Sequence, residues 1–351
     1  MKITFFTIIL SISLTSYSQN IPMYVGTYTG ADSDGIYCYD FNTETGELRN
    51  KKLIAKTENP SFLTLSSNKK YLFSVSENGE NSSINAFLVD KNGMLNFINQ
   101  VSSNGANPCH VQLNKNNTKA VISNYSGGTI SIYNIEKNGI VSEAFQVLNH
   151  NTETKTSHAH SAKFFKKNLF VADLGRDFLA HYVENDQVYG IKENIEMEAG
   201  AGPRHFEISK KGKFIYVINE LNSSISVLKK DENNYSNIQN ISTLDDDFKG
   251  ESYCADIHLS KNERFLYGSN RGENSIVVFK RDKKNGTLQK IQNISVNGDW
   301  PRNFTLAPNG KFLLAANQKS KNISVYKVNK KTGELSFLYS LEAPTPVCLL
   351  F

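Results

Sequence analysis

The sequence has little of what marks several common protein classes. It holds one tryptophan, Trp300, and four cysteines, Cys38, Cys109, Cys254 and Cys348, with no CxxC spacing and no recurring pair. Nothing in that spacing demands a disulfide framework, so most of the cysteines are expected to act as small buried apolar side chains. No GxGxxG, phosphate-binding loop or GxSxG occurs, which leaves nucleotide-binding and serine-hydrolase readings without support. There is no low-complexity tract and no strong charge of one sign. The 39 basic and 34 acidic residues give a net charge of +5, and the lysines are scattered among Asn, Ser and Glu. No nucleic-acid partner is expected from such a distribution.

What is present begins with "MKITFFTIILSISLTSYSQN". The apolar run from Ile3 to about Leu14 is short for a bilayer span, follows a single lysine and precedes small residues at Ser16 and Ser18. It is expected to be a cleaved export signal, residues 1–18, leaving a periplasmic or secreted protein with no membrane insertion after cleavage. No cysteine follows it where a lipid anchor would need one.

Beyond the leader, one pattern recurs. "PSFLTLSSNKKYLFSVSE" (60–77), "PCHVQLNKNNTKAVISNY" (108–125), "PRHFEISKKGKFIYVINE" (203–220), "CADIHLSKNERFLYGSNR" (254–271) and "PRNFTLAPNGKFLLAANQ" (301–318) align without a gap. A shorter copy is "AHSAKFFKKNLFVADL" (159–174), and "PVCLLF" (346–351) is a first half whose second half resembles "MYVGTY" (23–28) at the other terminus. The starts 60, 108, 159, 203, 254, 301 and 346 lie 48, 51, 44, 51, 47 and 45 residues apart. Each repeat also carries a third β-like segment, such as 83–87, 129–133, 224–228, 275–279 and 322–326. A fourth often follows a glycine turn, as at Gly46, Gly93, Gly286 and Gly333.

Seven units of four strands at this period describe an all-β, seven-bladed β-propeller. The WD40 and kelch signatures are missing. The terminal halves are expected to close the ring, with N-terminal strands completing the blade begun by the C-terminal strand. Residues 22–351 then form a single domain.

In such a blade the first strand lines the central channel and the second returns beside it. The start of one and the end of the other therefore open at the same mouth. Directly after the start residues come Ser61, Cys109, His160, Arg204, Ala255, Arg302 and Val347, then Phe62, His110, Ser161, His205, Asp256, Asn303 and Cys348. The ends of the second strands bring Tyr28, Glu77, Tyr125, about Leu174, Glu220, Arg271 and Gln318. His258 lies deeper on its strand. The opposite turns carry Lys, Asn and Ser without histidine, so the ionisable set marks one mouth as the place for a site.

"GAGPRHFEIS" (200–209), "VINELNSSISV" (217–227), "CADIHLS" (254–260), "PRNFTLAPNGKFLLAANQKSKNISVY" (301–326) and "HAHSA" (158–162) resemble the lactonase family of seven-bladed propellers, which contains bacterial 6-phosphogluconolactonases and fungal carboxy-cis,cis-muconate cyclases. The resemblance spans about 22–351. It implies that the family's proposed active-site residues fall on His160, Arg204, Glu220 and Arg271, all among the rim positions above. The export signal departs from familiar cytosolic members and leaves the substrate open.

On that resemblance, the expected partner is a small anionic sugar lactone or sugar acid. Arg204 and Arg271 would hold an oxyanion or an anionic tail, His160 would be the general base and Glu220 the second candidate. His205, Asn222, Asp256, His258, Arg302 and Gln318 would line the substrate pocket. A lactone-forming cyclase and a non-enzymatic ligand-binding propeller stand as alternatives. No cofactor and no metal are expected, although the His158–His160 pair near His110, His205, Asp256 and Glu220 would be where a divalent ion could sit.

Overall fold

The computed structural model describes residues 20–30 and 32–351, so the proposed export signal lies outside the described residues. The chain forms seven four-stranded antiparallel sheets, and the only helical element among the described residues is a 3-10 turn at Gly79–Asn81. We number the blades from the first complete repeat. The innermost strands of blades one to six are Leu63–Leu65, Pro108–Leu113, Ala159–Phe165, Pro203–Ile208, Tyr253–Leu259 and Pro301–Leu306. In blade seven the innermost strand is the C-terminal Pro346–Leu350, paired antiparallel with Asn20–Thr27 through Tyr24 opposite Leu350 and Val25 opposite Leu349. Pairing the first described strand with the C-terminal strand in this sheet closes the ring between blades six and one.

Each blade is apolar on both faces, so the core is divided among the contacts between blades. Seven buried clusters correspond to seven interfaces. Between blades one and two, for example, Phe73 and Val75 meet Val111, Ile122 and Tyr133. Burying each such side chain is worth roughly 1.5–3 kcal/mol. A blade alone would leave both faces wet, which is why stability requires the whole ring.

The glycine turn of the repeat is part of this packing. Gly286 and Gly333 have φ of 87° and 84°, and a Cβ there would come within 2.3 Å of the rings of Phe214 and Phe265 in the preceding blade. The left-handed backbone and the close ring both require glycine. Tyr216 and Tyr267 hydroxyls donate to the carbonyls of Gly286 and Gly333 at 2.8 and 2.9 Å, latching each turn to its neighbour.

At the channel mouth the ladder is irregular in the same place in several blades. Pro203 pairs with Asn219 but His205 with Ile218, leaving Arg204 in a bulge. Equivalent shifts occur at Cys109, His160 and Arg302, and a longer one spans Ala255 and Asp256. Regular strand alternation would send neighbouring side chains to opposite faces. The bulge re-aims one of them, so that Arg204 and His205 both enter the buried centre.

Candidate active site

Glu220 follows the second strand of blade four and Arg204 lies on its first, so the hairpin sets them side by side. Arg204 Nε lies 2.8 Å from Glu220 Oε2. Arg271, at the end of the second strand of blade five, brings Nη2 to 2.8 Å from the same oxygen. The two guanidiniums are also fixed by backbone: Arg204 Nη1 donates to Ala255 O, while Arg271 donates from Nε to Tyr253 O at 3.2 Å and from Nη2 to Cys254 O at 3.0 Å. Both arginines are buried, and the Glu220 side chain keeps 17 % of its surface accessible. Burial alone would raise the Glu220 carboxyl, but Arg204, Arg271 and Arg302 outweigh it and hold it below its ordinary value. Burial, and then Arg204, pull Arg271 down to about 10, which leaves it charged at neutral pH.

His160 is buried beside this group. Its Nδ1 is 3.6 Å from Cys109 Sγ, whose thiol also donates to the His160 carbonyl at 3.2 Å. The Tyr125 and His205 rings stand edge-on to it at 5.5 and 5.2 Å between centroids. Burial, then the positive charge of Arg204 and the neighbouring His205, Arg302 and Arg271, push its pKa well below the usual histidine value. At neutral pH the imidazole is uncharged and retains a basic lone pair.

Beneath the rim, Asp256 collects donors from three blades. His205 Nδ1 lies 2.7 Å from Oδ1, which also accepts from Ile257 N at 2.9 Å. Oδ2 is approached by His258 Nε2 at 3.0 Å, Asn303 Nδ2 at 2.6 Å and Phe304 N at 3.3 Å. Burial opposes the Asp256 charge, yet His258 and His205 hold the carboxyl well below its ordinary value. His205 is lowered to about 4, by burial first and Arg204 second.

Arg302 belongs to a separate chain across the ring closure: its Nη2 donates to Tyr28 Oη at 2.9 Å, and Tyr28 donates to Glu77 Oε2 at 2.8 Å. Burial works against its charge, but Tyr28 and Glu77 more than offset that. Unlike Arg204 and Arg271, Arg302 has no carboxylate in direct contact among the described residues, so more of its hydrogen-bonding capacity is free for a bound anion.

The structure thus brings His160, Arg204, Glu220, Arg271, His205 and Arg302 to one mouth, with Asp256 and His258 in the layer below. Gln318 joins the rim through its backbone N, which donates to Trp300 O at 3.0 Å, and its Oε1 is buried without a partner. Asn222 lies elsewhere: it is exposed and accepts from Ser224 Oγ at 2.7 Å in the turn behind the cluster.

His158 lies just before the strand that carries His160. It stacks on Tyr125 at 4.6 Å and bonds to the Tyr125 carbonyl through Nδ1. Among the described residues no group of three His, Cys, Asp or Glu side chains could hold a metal ion. All four cysteines are free, and Cys38 alone is not fully buried. Tyr28, Glu77, Tyr125 and Cys109 occupy rim positions of the repeat, so the alignment already carried their signal. Trp300 falls one residue before the aligned segment. A cleft of 470 Å³ on the outside, lined by Thr57, Ser76, Asn85 and Phe97 among others, shares no residue with this mouth.

The family model described as Lactonase, 7-bladed beta-propeller matches residues 22–351. The chain is 33 % identical over 339 residues to a 6-phosphogluconolactonase of Bacillus subtilis, covering 93 % of this chain and 97 % of the relative. It is 36 % identical over 308 residues to a 6-phosphogluconolactonase of Formosa agariphila, covering 82 % and 86 %. It is similar in structure to a periplasmic gluconolactonase of Pseudomonas aeruginosa, with TM-score 0.88, 29 % identity, and 94 % and 98 % of the two chains covered.

Proposed function

Because this chain belongs to the lactonase family of seven-bladed β-propellers, we propose that it hydrolyses the ring ester of an anionic sugar lactone at the mouth formed by His160, Arg204, Glu220 and Arg271. The observation that carries this reading is the convergence of Arg204 and Arg271 on one oxygen of Glu220 beside an uncharged, buried His160.

Opening a lactone requires a nucleophilic water, stabilisation of the developing oxyanion and a proton for the departing ring oxygen. Neutral His160 takes a proton from water as the water oxygen attacks the carbonyl carbon. The carbon–ring oxygen bond then breaks, and the imidazolium returns the proton to the alkoxide. The product is the open hydroxy acid. The arginines, fixed by Glu220 and by backbone carbonyls, supply positive charge where the oxyanion forms without having to reorganise. Glu220 is engaged by both arginines and held ionised below its usual range. This favours it as their anchor and leaves the basic role to His160. Arg302, unpaired with a carboxylate, takes the anionic tail.

We also propose that the chain is exported. The similarity to a periplasmic gluconolactonase supports this, and no helix among the described residues is long and apolar enough to cross a membrane. The test gives a panel of δ- and γ-lactones, phosphorylated and not, and separately a carboxymuconate, to the protein lacking residues 1–18. Acid release above the spontaneous rate supports the reading. Loss of muconate absorbance without lactone opening would assign a cyclase, and no turnover of either kind would favour a binding protein.

A further inference from the structure

In five blades the residue just before the proline that opens the repeat has a left-handed backbone: Asn59 at φ 40°, Asn107 at 53°, Gly202 at 65°, Trp300 at 67° and Thr345 at 33°. Asparagine and glycine enter this region at little cost, whereas a bulky side chain does so only when its surroundings impose it. Two hydrogen bonds impose it on Trp300. Trp300 N donates to Asn274 Oδ1 at 2.9 Å and its carbonyl accepts from Gln318 N at 3.0 Å.

The only tryptophan of the chain is therefore held in an unfavourable conformation at the rim instead of filling the core. Strain of this sort points from an observed outlier toward a functional position.

The indole is partly accessible and borders the ionised cluster. Arg271 Cζ is 5.2 Å from its ring centre, the Tyr253 ring is 6.2 Å away, and Lys319 Nζ stands 3.3 Å from its centroid. Lys319 is exposed and has no carboxylate partner among the described residues. A flat aromatic face beside the fixed Arg271, with the long cationic side chain of Lys319 lying over it, suits a ligand that is a ring bearing aliphatic C–H faces and an anionic group.

We propose that Trp300 is the platform on which the sugar ring of the substrate stacks, and that Lys319 leaves that face on binding to meet the substrate's anionic group. This rests on the lactonase reading and adds a specificity-determining wall to it.

The indole is its own reporter, since no other tryptophan contributes to the emission. The experiment titrates Trp300 fluorescence with gluconate and with 6-phosphogluconate, and measures KM for Trp300→Asn, Trp300→Phe and Lys319→Met on the lactone hydrolysed best. A saturable emission change with at least one acid is expected. Trp300→Asn should raise KM about tenfold with kcat within about twofold. It adopts the backbone already used by Asn59 and Asn107, so its melting temperature should hold or rise. Trp300→Phe retains a ring and should stay near wild-type KM, which keeps the test valid if the asparagine variant misfolds. Lys319→Met should raise KM and erase any preference for the phosphorylated acid.

Emission that does not change at acid concentrations that competitively inhibit hydrolysis overturns the proposal, as does wild-type KM in Trp300→Asn. In the latter case lactone hydrolysis persists and the lactonase reading survives alone. Conversely, saturable quenching without any lactone turnover would sink the lactonase reading and keep the platform.

Discussion

Glu220 and Arg271 come from adjacent blades and meet at 2.8 Å through an oxygen that Arg204 already approaches at the same distance. One carboxylate thus orients two buried cations. A substitution at Glu220 should be felt first as a loss of order among the arginines.

Replacing Glu220 by Gln keeps the shape and removes the charge. Breaking a buried pair by deleting one partner leaves uncompensated charge and costs on the order of 3 kcal/mol. Denaturant unfolding should show a lower midpoint, and lactone hydrolysis should fall at least about a hundredfold, as expected for lost oxyanion stabilisation. An unchanged midpoint with wild-type turnover would remove Glu220 from its anchoring role.

The pH dependence follows from His160. Its neutral form is the active one, and burial with Arg204 holds its pKa well below the ordinary value. kcat/KM should therefore stay level through pH 6.5 and decline only on the acid side, as His160 takes up a proton. Arg302 is one of the charges opposing that proton. In Arg302→Gln the acid limb should move to higher pH while KM rises. A limb that stays in place or moves lower would separate the profile from His160.

Asp256 is the structural counterpart below the rim, accepting contacts from His205, His258 and Asn303 side chains and two backbone N–H groups. Asp256→Ala strips partners from several buried donors at once and should destabilise by roughly 3 kcal/mol or more. A thermal midpoint within a degree of wild type would mean that these donors find other partners.

Ring closure offers a further check. Removing residues 346–351 deletes the innermost strand of blade seven and exposes the edge of Asn20–Thr27. The truncated chain should lose cooperative unfolding and aggregate. Retention of a single sharp transition would show that the ring does not depend on that strand.

Much of this architecture was legible in the sequence because a repeat reports its own register. Aligning the copies that start at Pro203 and Cys254 was enough to bring Arg204, Glu220 and Arg271 to one mouth without any view of the chain in space. What the alignment could not convey was direction. It treats Arg204 and His205 as successive residues of a strand, and only the bulge explains why both reach the centre. For the same reason Asn222, close to Glu220 in sequence, is exposed and meets the Ser224 hydroxyl. The Tyr28–Glu77–Arg302 chain crosses the ring closure between sequence-distant blades, where pairing depends on side-chain reach and leaves no pattern along the chain. Trp300 escaped because its signal is a left-handed backbone, visible only in φ.

The most direct test is lactone hydrolysis by His160→Gln beside the wild-type protein, with far-UV circular dichroism to show that both are folded. Wild-type turnover should exceed the spontaneous rate, and the variant should lose about a hundredfold or more. A folded His160→Gln protein that hydrolyses the lactone at the wild-type rate would contradict that expectation.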